Sequence, residues 1–220
     1  VPGHPDPAAF PSLAALRRRA AVELSAIGLG AVAFITVVPE RPVVVDLGLA
    51  VLAVGLVAAG ARGTREQFWG SPPGDGRAGN RVRLVGWGTI ATLVVFAGWA
   101  IAHGTAVARP AALATLALFL PWAWLQQALV QFYVLGRLRV LLRGAPPLAA
   151  PALTGLLYGL AHAPDWPLVV VTAGAGVAWS ACYERARRLV PLAVSHAVLG
   201  TAYYAWVRDE DLVLRWLGGH

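Results

Sequence analysis

Seven long apolar stretches, at about 20–38, 42–60, 84–103, 111–135, 148–163, 166–183 and 189–207, decide what solvent this chain can fold in. A helix needs about 20 apolar residues to cross the hydrocarbon core, with a range of about 17–25, so the first four stretches and the seventh are comfortable spans. The fifth and sixth are short. Charged residues make up 13% of the 220 positions and hydrophobic residues 58%, well away from the charged share of about 25% in soluble domains. The expected fold is therefore all-α, a polytopic membrane bundle of about seven transmembrane helices, within a range of six to eight.

Arginine placement gives the expected orientation, because basic residues collect on the cytoplasmic side of short connections. Arg17, Arg18 and Arg19 precede the first stretch, and Arg62, Arg65, Arg77, Arg81 and Arg83 lie between the second and third. Arg137, Arg139 and Arg143 follow the fourth, and Arg185, Arg187 and Arg188 follow the sixth. The remaining connections hold little charge. This alternation puts the N-terminus in the cytoplasm and the C-terminus outside. Bias toward Ala, Gly, Arg and Pro, without lysine, points to a GC-rich genome, and the expected location is a bacterial inner (plasma) membrane. The net charge of +7 argues for bilayer orientation and against nucleic acid, since the arginines sit in short clusters and not along one amphipathic face.

Three segments are expected: a disordered basic segment at 1–19 with Pro2, Pro5, Pro7 and Pro11, a single helical domain at 20–207, and a tail at 208–220. No cleavable signal pattern precedes the first apolar stretch. The 61–83 connection has the glycines and prolines of a flexible turn. Trp99, Trp166 and Trp206 fall at outer edges, as an interfacial aromatic belt would. A single cysteine, Cys182, excludes an internal disulfide and a cysteine metal cluster.

Polar side chains within the apolar stretches are the candidates for function, because placing them in hydrocarbon is costly. Gln126, Gln127 and Gln131 interrupt the run WAWLQQALVQFYVLGRLR. On a helix Gln127 and Gln131 share a face, with Gln126 roughly 100° away. Tyr158 and His162, in YGLAH, also share a face. His162 serves equally well as a functional ring or as a satisfied residue at a helix end beside Asp165. His196, in SHAVLG, lies about seven residues or ~10 Å into its stretch, where Ser or Thr would make the same interhelical bond without a titratable ring. Glu23 and Asp46 lie near stretch ends and read as headgroup-solvated. By depth, Gln126 and His196 match while His162 falls at the opposite end of its stretch, unless the prolines at 146, 147 and 151 start that helix deep or tilt it.

Two histidines on separate helices, beside a polar helix, leave room for a divalent metal such as zinc held by His162 and His196, or for an activated water. Glutamine is a poor metal ligand and cannot take a proton, so no metal site is assigned with certainty.

The ordered trio QQALVQ, YGLAH and SHAVLG resembles the CPBP family, the membrane-embedded proteases that include the CAAX prenyl endopeptidases of the Rce1 type and bacteriocin-processing or immunity proteins. The resemblance covers about residues 120–205, with a core domain at about 111–207. In that family the pattern is E-E-x-x-x-R, then F-x-x-x-H, then H-x-x-x-N. Carried over by position, the glutamates fall on Gln126 and Gln127, the arginine on Gln131, the phenylalanine on Tyr158, the histidines on His162 and His196, and the asparagine on Gly200. The resemblance implies an intramembrane endopeptidase, a metalloprotease-like hydrolase, with His162, His196, Gln126 and Gln127 as catalytic positions and Gln131, Tyr158 and Gly200 supporting them. Its substrate would be a membrane-anchored or lipid-modified peptide. Only the histidines match outright. Losing both acids together with the arginine keeps the site near charge balance. A preserved polar cavity whose chemistry has changed or stopped is the expectation, and three readings follow: an endopeptidase with a histidine base, a pseudo-protease that binds a peptide, lipid or isoprenoid tail in the same cavity, or a structural subunit of a membrane complex.

Overall fold

The computed structural model describes residues 12–37, 48, 51–58, 78–105 and 111–211. Expectations for the N-terminal 1–11 segment, most of the second apolar stretch with Asp46, much of the 61–83 connection and the 212–220 tail lie outside the described residues.

The elements are α1 (Leu13–Val37), α2 (Ala78–His103), α3 (Ala111–Gln127), a π-helical segment (Ala128–Val134), α4 (Leu135–Leu141), α5 (Ala149–Leu160), α6 (Trp166–Ala186), α7 (Leu189–Ala202) and a second π-helical segment (Tyr203–Val207). The all-α expectation stands, but the count of about seven spanning helices is corrected. Among the described residues, three helices are long and apolar enough to cross a membrane: Gly79–His103, Ala111–Leu141 and Trp166–Ala186.

The difference has physical causes. Hydropathy counts apolar residues, whereas a span also needs one uninterrupted helix. The fifth stretch contributes only the 12-residue α5. The seventh, α7 with the π-helical turn after it, carries Ser195, His196, Thr201, Tyr203 and Tyr204 among its apolar residues.

Large apolar side chains face outward along these helices, with Val94 66%, Ile101 73%, Leu113 76% and Val170 71% exposed. In water such a surface would be unstable; against lipid tails it is the favoured one. The chain is an integral membrane protein, associated with the bilayer through these apolar helices.

Its interior is built from close helix pairs. α5 packs along α6, α3 along α7, α2 against both α6 and α7, and α1 against α4. The α5–α6 contact depends on small residues. A Cβ built on Gly155 would lie 2.4 Å from the backbone nitrogen of Val177, and one on Gly159 would lie 2.6 Å from the carbonyl of Val169. Backbones can come this close only where side chains are absent, the usual way helices associate without a hydrophobic driving force. Gly155→Ala is expected to cost about 1–3 kcal/mol by overpacking. A thermal melt in detergent reads this as a lowered midpoint, and an unchanged midpoint contradicts it.

Candidate functional site

The rod formed by α3, the π-helical segment and α4 presents two of the three glutamines to the interior. Gln127 ends α3 and Gln131 lies in the π-helical turn, whose wider winding is marked by the Leu135 N–H bonding to the Val130 carbonyl. π-helical turns of this kind occur often at functional sites. Both side chains are fully buried. Each amide must therefore find partners inside the protein or lose free energy.

They find them in a continuous chain. Ser180, on α6, donates to Gln131 Oε1 at 2.8 Å. Gln131 Nε2 donates to Gln127 Oε1 at 3.1 Å. Gln127 Nε2 lies 3.5 Å from His196 Nδ1, and His196 Nε2 lies 2.9 Å from the Tyr158 hydroxyl. Helices α3, α5, α6 and α7 thus meet at one imidazole.

Two neutral tautomers of His196 fit this setting. In one, Gln127 donates to Nδ1 and the Nε2–H donates to the Tyr158 oxygen. In the other, the Tyr158 hydroxyl donates to Nε2 and a ring N–H reaches the carbonyl of Ala123. Among the described residues the hydrogen bonds of His196 are all to neutral groups.

Aromatic rings enclose the histidine. Phe119 meets it edge-on at 5.4 Å between centroids, Tyr158 at 5.8 Å, and Trp179 lies tilted at 5.2 Å. Gly200, the position that corresponds to an asparagine in the pattern above, packs on Phe119: a Cβ there would meet the ring at 2.3 Å. The space an asparagine side chain would need is filled by Phe119. A second polar group supports the wall, with Trp179 Nε1 donating to Ser195 Oγ at 3.1 Å and Thr89 Oγ1 2.7 Å from the same oxygen.

His162 stands apart from this chain. It follows the end of α5, with Nδ1 2.9 Å from the Tyr158 carbonyl and 3.3 Å from Thr172 Oγ1, and its ring meets Tyr158 edge-on at 5.2 Å. Tyr158 lies between the two histidines. Asp165 caps α6 by accepting from the Leu168 N–H at 3.3 Å and pairs with Arg208 at 3.8 Å. His162 lies one turn beyond Tyr158, whose hydroxyl reaches His196, so the two histidines flank one ring.

Of the residues singled out in the sequence, then, Gln127, Gln131, Tyr158 and His196 come together, with Gly200 behind them and His162 one turn away. Gln126 does not join: its Oε1 is buried without a hydrogen-bond partner among the described residues. Ser180, Ser195, Trp179 and Phe119 were not singled out. Ser180 and Ser195, polar residues in the apolar helices preceding and bearing the SHAVLG motif, carried the signal that could have found them.

Glu23 also differs from its headgroup-solvated expectation. It accepts from Arg137 Nε at 2.8 Å, from the Tyr133 hydroxyl at 2.8 Å and from Arg19 Nε at 2.7 Å. Arg137 is 1% exposed and stacks over the Tyr133 ring at 3.5 Å. This ion network ties α1 to α4 and lies apart from the imidazole.

The donor set does not fit a zinc ion. Among the described residues no three His, Cys, Asp or Glu side chains converge. Structural and catalytic zinc sites need three or four such ligands. His196 has both ring nitrogens facing hydroxyl and amide groups, and its nearest neighbours on α3 are neutral amides.

Buried polar groups of four helices, gathered round one neutral histidine and sealed by aromatic rings, define a membrane-embedded helical protein with an enclosed polar site. A family model described as Type II CAAX prenyl endopeptidase Rce1-like matches residues 127–202. The matched stretch, about a third of the chain, is similar to that family. It takes in Gln127, Gln131, Tyr158, His162, His196 and Gly200 and leaves out Gln126. No curated protein and no solved structure matches the chain.

Proposed function

We propose that this chain is a CPBP-type pseudo-protease, which holds a membrane-anchored or lipid-modified peptide, or its isoprenoid tail, at the His196 site without cleaving it. One observation carries the reading: the chain from Ser180 through Gln131, Gln127 and His196 to Tyr158 is neutral at every link. A histidine that takes a proton from water becomes an imidazolium, and hydrolytic sites stabilise it with a carboxylate. The acids of the described core are spent on arginines instead, Glu23 on Arg137 and Glu184 on Arg139. The arginine-bearing ends of α1, α4 and α6 face the cytoplasm of a bacterial inner membrane in this reading.

A second reading rests on the 2.9 Å contact between His196 Nε2 and the Tyr158 hydroxyl. There His196 acts as base, the glutamine amides orient water or polarise the scissile carbonyl, and the chain is an endopeptidase.

The two separate in one experiment on the purified chain in detergent. A fluorescent farnesylated peptide is titrated for anisotropy, and the mixture is followed by mass spectrometry. Saturable binding without a cleavage product is expected. Cleavage that disappears in His196→Ala and His162→Ala establishes the endopeptidase reading in its place. Absence of binding by the folded, monodisperse chain refutes the pseudo-protease proposal.

A further inference from the structure

The far end of α6 gathers positive charge around one carboxylate. Arg139 Nε lies 3.4 Å from Glu184 Oε1, Arg187 Nε donates to the backbone carbonyl of Glu184 at 3.1 Å, and Arg185 lies within electrostatic reach of the same residue. Three guanidiniums around one carboxylate repel one another, and a further anion among them would lower the energy. Burial, together with the neighbouring charge of Arg139, pulls Arg187 below the usual arginine range, down to about 10.

Backbone conformation adds to the case. Arg187 is the C-cap of α6 with φ 50° and ψ 33°, a left-handed conformation that glycine normally supplies at this position. The chain keeps an arginine there despite the strain. Arg188 follows it and is exposed. On the neighbouring helices, Arg17 of α1 donates to the carbonyls of Val140 and Arg143 at 3.4 Å, so the ends of α1 and α4 bring further arginine to the same end of the bundle.

We propose that Arg139, Arg187 and Arg188, with Arg185 at the rim, form a binding site for a phosphate-bearing anion, either the headgroup of an anionic phospholipid or free phosphate. The planar guanidinium fork matches phosphate oxygens, and the end of an apolar helix is the level at which headgroups lie. A phosphate bound there meets the guanidiniums that gather around Glu184. This site is separate from the His196 chain and does not depend on its activity.

The test titrates the purified full chain in detergent with phosphatidylglycerol, with phosphatidylcholine and with inorganic phosphate, following melting temperature and native mass spectra. Saturable stabilisation by phosphatidylglycerol and none by phosphatidylcholine is expected. Arg187→Gly gives the left-handed position its favoured residue, so this variant should melt no lower than the parent without lipid while binding phosphatidylglycerol roughly fivefold more weakly. Adding Arg139→Gln should bring the loss to roughly 30-fold. Saturable binding of inorganic phosphate with the same arginine dependence upholds the site and assigns it to the free anion. Equal responses to the two phospholipids, or phosphatidylglycerol binding unchanged in Arg187→Gly and in the double variant, overturn it.

Discussion

Gln127→Glu is expected to lower the stability of the bundle by about 3–5 kcal/mol, the cost of a buried charge without a partner. Gln127 is 0% exposed, and its amide sits between Gln131 at 3.1 Å and His196 at 3.5 Å, neither of them charged. Glu at both 126 and 127 should be worse still. Adding Gln131→Arg should restore much of the loss, because position 131 already reaches the side-chain oxygen of residue 127. Recovery stays incomplete by about 1 kcal/mol, since Ser180 then loses its acceptor. Chemical denaturation in detergent measures all three, and equal stability of the variants with and without the arginine contradicts the account. The restored triplet is also the direct route to asking whether carboxylates alone bring hydrolysis back.

The second large effect lies outside the imidazole site. Arg137→Met is expected to cost about 3 kcal/mol, the lower end of the range for breaking a buried ion pair, because Glu23 retains some solvent and its bond to Arg19. Glu23→Gln in the same chain should return roughly half of that loss, as the stranded carboxylate is then removed. If the single and double variants melt together, the Glu23–Arg137 pair is not what joins α1 to α4.

How much of this was visible in the residues differs from one element to another. Gln127 and Gln131 were legible as one face because i,i+4 spacing survives even in the wider π-helical turn. The brevity of α5 was legible in its prolines, and the embedded histidines in their apolar surroundings. Gln126 was grouped with its neighbours by adjacency, yet side chains next to each other on a helix diverge, and the Gln126 amide points elsewhere. Glu23 was misread because its partners Tyr133 and Arg137 are more than 100 positions distant. The overcount of spanning helices arose in part because the fifth stretch winds into only 12 helical residues and because Ser195, His196, Tyr203 and Tyr204 dilute the apolar content of Leu189–Val207. Nor does any local pattern reveal that Phe119 fills the space beside Gly200; that is a matter of volume between two helices.

The π-helical turn at Ala128–Val134 bears on how chains of this kind should be compared. It acts as a phase adjuster within one rod: above it Phe119, Ala123 and Gln127 address α7, while below it Arg137 addresses α1. A helical wheel drawn through the whole rod with a single period would misassign one half. Alignments that forbid gaps inside the rod would make the same mistake, so a relative lacking one residue here can keep both interfaces and still look unrelated across half its length.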